Sequence, residues 1–166
     1  MPRIIIGFSR PKSKLAISSY VIRIAENSAY SHAYLRWYSN GIERDMVYHA
    51  SHGMVHFISG NRFDAEAITV SKYEISLTDE QFKSVMQKCV DLAGTKYGTL
   101  QLLGMALEKI TGIKNPFRDG NQTFVCSELV GEVLRQLFNI DTDLERAGPK
   151  ELERKISVLP GFVKIV

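Results

Sequence analysis

Strand-forming and helix-forming patterns fall in largely separate stretches of this chain, and that segregation constrains its fold more than any other feature. The first half carries the strand signals. Residues 3–9 are rich in isoleucine, and 30–38 and 46–50 are rich in aromatic and β-branched residues. Between the latter two, Ser39-Asn40-Gly41 supplies turn chemistry, so they read as an antiparallel pair. Met54–Ser59 and residues 67–75 read as further strands. Only 13–26 interrupts the series, with Leu15, Ala16, Tyr20, Val21 and Ile24 at helical spacing.

The second half is helical. Thr78 is placed as an N-cap, Gln81 completes a capping box, and Gly94 stands where a helix stops. The apolar face between them runs Phe82, Val85, Met86, Cys89, Val90, Ala93. Residues 99–110 predict a mostly apolar helix, 115–121 a polar loop, and 124–138 a short lead-in followed by a helix. Pro149 opens one more helix over 150–155, and 162–166 closes as a strand. This is the α+β pattern: an antiparallel sheet packed against helices. With 166 residues, no repeat and no linker, the expectation is one domain over residues 1–166.

Charge and hydropathy narrow the function classes. The net charge is +3, with Lys and Arg scattered among acids, so no dedicated nucleic-acid surface is expected. No window approaches the roughly 18 apolar residues of a membrane span. The apolar run at residues 4–6 is short of the roughly seven that a secretory segment needs. Two cysteines far apart make no disulfide framework and fit a reducing compartment. The expectation is a cytoplasmic protein, or one carried in a virion or delivered by a phage.

Chemistry then turns on the cysteines and histidines. Cys89 lies in register with the buried face of its helix and reads as core. Cys126 follows a polar loop and precedes the stripe Leu129, Val130, Val133, Leu134, Leu137. A thiol at a helix N-terminus meets unpaired N–H groups and the positive dipole end, which favour thiolate. It could equally be the first core residue of that stripe, and periodicity does not choose. His32 and His49 fall on neighbouring strands, where side chains on one face come about 5 Å apart, close enough for one imidazole to orient the other. As plain half-exposed strand residues they would need no such role. His49, His52 and His56 match no well-marked zinc spacing, so no metal or other cofactor is expected.

Several motifs resemble those of the NlpC-type papain-like cysteine hydrolases. Residues 124–130, Phe-Val-Cys-Ser-Glu-Leu-Val, are similar to the nucleophile segment. Residues 92–98, Leu-Ala-Gly-Thr-Lys-Tyr-Gly, resemble the Gly-x-Pro-Tyr segment before it, with Lys96 where proline is usual. Residues 31–35, Ser-His-Ala-Tyr-Leu, resemble the strand bearing the base, and residues 47–51, Val-Tyr-His-Ala-Ser, the strand bearing the third polar group. Here the histidines precede the cysteine, the order of the circularly permuted branch. Cys126-Ser127-Glu128-Leu129 lacks the Asn-Cys-Glu-His-Phe of the lecithin:retinol acyltransferase relatives, and Gly148-Pro149-Lys150-Glu151-Leu152 resembles a helix start of the YiiX-like form.

The resemblance implies a papain-like fold with Cys126 as nucleophile at a helix N-terminus, His32 as base and His49 as third member. It implies Tyr97 and Ser127 beside the substrate or oxyanion. His32 would hold the cysteine proton as an imidazolium while the thiolate attacks an amide or ester. The substrate would be a peptide, another amide or an acyl lipid. An acyltransferase using the same site, and a non-catalytic binding or virion protein retaining the fold, are the rival classes. The apolar residues Leu100 to Ile110 read as core, or as one wall of an acyl pocket.

Overall fold

The computed structural model describes residues 1–13, 16–51, 53–98, 104, 107–108, 110–114, 123–124, 126–138 and 148–166, without the side chains of 97, 123, 124, 136 and 138. Eight strands form one sheet: β1 Arg3–Pro11, β2 His32–Ser39, β3 Arg44–Ser51, β4 Met54–Ser59, β5 Ala67–Ser76, β6 Lys96–Tyr97, β7 Thr123–Phe124 and β8 Val163–Lys164. Their spatial order is β7-β6-β4-β3-β2-β1-β5-β8. All neighbours are antiparallel except β6 and β7, which run parallel. The five described helices with full bounds are α1 Ile17–Glu26, α2 Gly60–Glu66, α3 Asp79–Leu92, α4 Cys126–Phe138 and α5 Pro149–Ile156. The expected helix over 99–110 lies mostly outside the described residues, though 104, 107–108 and 110 are helical. The loop at 115–121 lies wholly outside them.

Alternation along the strands gives the sheet two different faces. On one, Ile4, Ile6 and Phe8 of β1, Ala33, Leu35 and Trp37 of β2, and Tyr48 and Ala50 of β3 are buried together. They form one cluster with Val85 and Cys89 of α3 and Leu129, Val130, Val133 and Leu134 of α4. Lys88 of α3 and Glu132 of α4 join above this core at 3.0 Å. On the other face, Tyr34 and Val47 pack with Phe63 of α2 in a separate small cluster. The sequence pattern did not predict α2. Its seven residues are too few for a period to register, although Ser59 caps it by accepting from the Arg62 N–H at 3.4 Å. α3 starts as expected, with the full Thr78–Gln81 capping box in place.

Two clamps fix the outer elements. Arg36 of β2 reaches Asp45 of β3 through Nε at 2.7 Å and Asp64 of α2 through Nη1 at 2.8 Å, which pins α2 to the sheet. On the far side, α5 grips the end of α1 and the segment after it. The Lys150 N–H donates to Glu26 at 3.0 Å, and its ammonium donates to the Asn27 carbonyl at 2.9 Å. Glu153 accepts from the hydroxyls of Tyr30 and, at 3.1 Å, Tyr73. Asn27 takes the left-handed conformation that closes a helix, with φ 46°. α5 thus holds both ends of the turn that delivers residues 30–32 into β2. No described helix is long and apolar enough to cross a membrane.

Candidate active site

The pieces predicted from sequence gather where β2 begins. Antiparallel register carries His49 of β3 beside His32 of β2, and the His32 Nε2 lies 3.2 Å from the His49 Nδ1, a hydrogen bond. Their rings stand edge to face, with centroids 5.3 Å apart. His49 is buried, and the ring of Phe63 from α2 closes on it at 5.3 Å. Cys126 is the first residue of α4 and is fully buried. Its thiol donates to the carbonyl of Ser31, the residue before His32, across 3.9 Å. Ser31 is itself held by a 2.5 Å bond between its hydroxyl and that of Ser19 in α1.

Two faces meet at this point. Alternation turns His32, Tyr34 and Arg36 toward α2, while α4 packs on the opposite face. At the tip of α4 the sulfur touches the Ser31 carbonyl, and the imidazole hangs from the next residue along the strand. Because Nε2 of His32 is engaged by His49, the nitrogen left for a proton from sulfur is Nδ1, the one nearer the backbone. Burial pushes the His32 imidazole down to about 4, and the neighbouring His56 adds to the shift. His32 is therefore neutral at neutral pH, and an imidazolium there needs a thiolate beside it as counter-charge.

A third histidine completes the cluster. His56 of β4 lies directly across from His49 in register, with ring centroids 4.8 Å apart, and its Nε2 lies 3.3 Å from the Ser51 hydroxyl. The sequence reading had weighed His56 only as a metal ligand. The available signal was its distance from the β3–β4 turn, which matches that of His49. His52 lies outside the described residues. Tyr97 pairs through its backbone with Phe124, two residues before Cys126, and its side chain lies outside what is described. Ser127 is fully buried, and its hydroxyl has no partner among the described residues. Cys89 belongs to the core as predicted, and burial pushes its thiol up to about 12.

Known proteins bear on this arrangement through structure alone. No family profile matches the chain, and no curated protein matches its sequence. Among solved structures, the chain is similar to the metalloprotein yiiX from Escherichia coli O157:H7, with a TM-score of 0.54 and 16% identity. The match covers 99% of this chain and 95% of that one. The chain has a YiiX-like α+β fold. At that identity the likeness is one of architecture.

Proposed function

We propose that the chain is a papain-like cysteine hydrolase that cleaves an amide or ester through a thioester on Cys126. The observation that carries this reading is the thiol of Cys126, at the first residue of a helix, hydrogen-bonded to the carbonyl next to a half-buried, paired histidine. Nδ1 of His32 takes the proton from Sγ, and its Nε2–H donates to Nδ1 of His49, which holds the tautomer. The sulfur adds to the substrate carbonyl. The backbone N–H of Cys126 and a neighbouring donor, Ser127 or Tyr97, receive the oxyanion, each such donor being worth about 3 kcal/mol. His32 returns the proton to the leaving amine or alcohol as the carbon–heteroatom bond breaks. Water, deprotonated by the same nitrogen, then releases the acid and restores the thiol.

The name of the similar protein raises the question of a metal here. Among the described residues, no group of three or more His, Cys, Asp or Glu is arranged to hold one. The same site would serve acyl transfer if an amine or alcohol replaced water, and product analysis with mixed acceptors separates the two. The test of the reading is a thiol-directed acyl probe, followed by mass spectrometry of the intact chain. One acyl group should appear on Cys126 in the wild type, more slowly in His49→Ala, and not at all in Cys126→Ala. Acylation that persists in Cys126→Ala would end the assignment.

A further inference from the structure

Helix α1 is turned inside out for a helix on the surface of a globular fold. Ile17, Tyr20 and Ile24 follow one another at i, i+3 and i+7 and so share one face, and they are 75%, 59% and 54% exposed. Val21, half-buried, lies along the same stripe. The buried side of the helix offers the core only Ser19 and Ile22. A contiguous apolar stripe facing outward marks a surface that something covers.

The charges around the stripe say what covers it. Residues 9–25 contain Arg10, Lys12, Lys14 and Arg23 and no Asp or Glu. Neither Arg10 nor Arg23 has a carboxylate partner among the described residues, and the Nε of each is buried without an acceptor there. Arg23 stands 5.7 Å over the ring of Tyr20, at the edge of the stripe. The acids near this end are turned to other partners: Glu26 accepts the Lys150 backbone N–H, Asp64 pairs with Arg36, and Glu66 faces Arg62. An exposed apolar face flanked by uncompensated cations matches the interface of an anionic lipid bilayer, with its acyl boundary below and its phosphates beside.

We infer that α1 is a membrane-surface helix, which docks the protein on anionic phospholipid with Ile17, Tyr20 and Ile24 immersed and Arg10 and Arg23 on the headgroups. The inference goes beyond the hydrolase reading and does not need it. It does have a geometric consequence for the site. Ser19 of α1 is bonded to Ser31, so a docked helix holds the start of β2, with His32 and Cys126, beside the lipid.

The test is flotation of the full chain with vesicles of phosphatidylcholine alone or mixed with phosphatidylserine. The wild type should float with the mixed vesicles, release at high salt, and stay in solution with phosphatidylcholine alone. The exposed triple change Ile17→Ser, Tyr20→Ser, Ile24→Ser should lose binding while the protein keeps its melting transition. Arg10→Gln with Arg23→Gln should weaken binding by about 30-fold, two cations' share of attraction to an anionic surface. Cys126→Ala should float like the wild type, so failure of the hydrolase reading leaves this one standing. The inference is overturned if the wild type does not float, if binding ignores phosphatidylserine, or if the triple variant binds as well as the wild type. It is overturned too if the triple change instead splits a wild-type dimer, which would make the stripe a contact between two copies of this chain.

Discussion

The neutral state of the half-buried His32 makes acid stability the sharpest check on the site. Its folded value lies at about 4 against an ordinary 6.5, because burial disfavours the charged ring. The unfolded chain therefore binds a proton at this position before the folded one does, and stability falls as pH drops through the interval between the two values. Above 6.5 the contribution is fully present. Integrating between the two states, it has lost about 2 kcal/mol by pH 5 and about 3 kcal/mol by pH 4. For a chain of this length, 3 kcal/mol is about 6–12 °C in melting temperature. Carboxylates also titrate in that range, so the comparison is between the wild type and His32→Asn, in which they are unchanged. Urea unfolding of both proteins from pH 7.5 to 4 measures it. The wild-type curve should fall more steeply than the variant's by the amounts given. Parallel curves would refute the buried-imidazole argument. So would an NMR titration of the ring with a midpoint above 7, which would mean a standing thiolate–imidazolium pair.

Three further outcomes follow from contacts already described. Both thiols are buried, so the hydrolase reading predicts that iodoacetamide at neutral pH labels Cys126 through its activation by histidine and spares Cys89, which has on the order of 10³ less thiolate than an ordinary cysteine; peptide mapping reads the sites. Tyr30→Phe removes one hydroxyl from Glu153 and should cost about 1–2 kcal/mol in denaturant unfolding, while Tyr20→Phe on the exposed helix face should cost nothing measurable. Arg36→Lys keeps the charge but loses the fork that spans Asp45 and Asp64, and should cost about 1 kcal/mol and speed amide exchange in α2.

What could be read in advance follows from where physical periodicity is long enough to register. β4 matched its expected span, and α3 could be placed from the Thr78 and Gln81 cap because two side chains there answer backbone groups that nothing else satisfies. β6 and β7 have two residues each, and no alternation exists in a pair, so the parallel link that sets Tyr97 beside Phe124 could not be seen. The His32–His49 contact was legible, because the turn at Ser39-Asn40-Gly41 makes their strands neighbours. The sheet faces were not. Predicting that His32 and α4 lie on opposite sides requires knowing which of two alternating sets meets which helix, and both sets along β2 are apolar: Ala33, Leu35 and Trp37 against Tyr34 with the aliphatic stem of Arg36. That the stripe of α1 points outward was not legible either. Its spacing announced a helix, and an apolar face is ordinarily an inward one.

The ring of Tyr34 lies flat across β1, over the backbone of Gly7, its partner in register, and its hydroxyl reaches Thr69 on β5 at 2.9 Å. Any side chain at position 7 would occupy the volume of that ring. The two sites are thus one steric decision taken in two places: a lineage that acquires even alanine at 7 must give up the tyrosine at 34. With it goes the surface on which Phe63 rests before it reaches His49. Among descendants of this chain, substitutions at 7, 34 and 63 should therefore travel as a set, and the histidine pair should inherit the result.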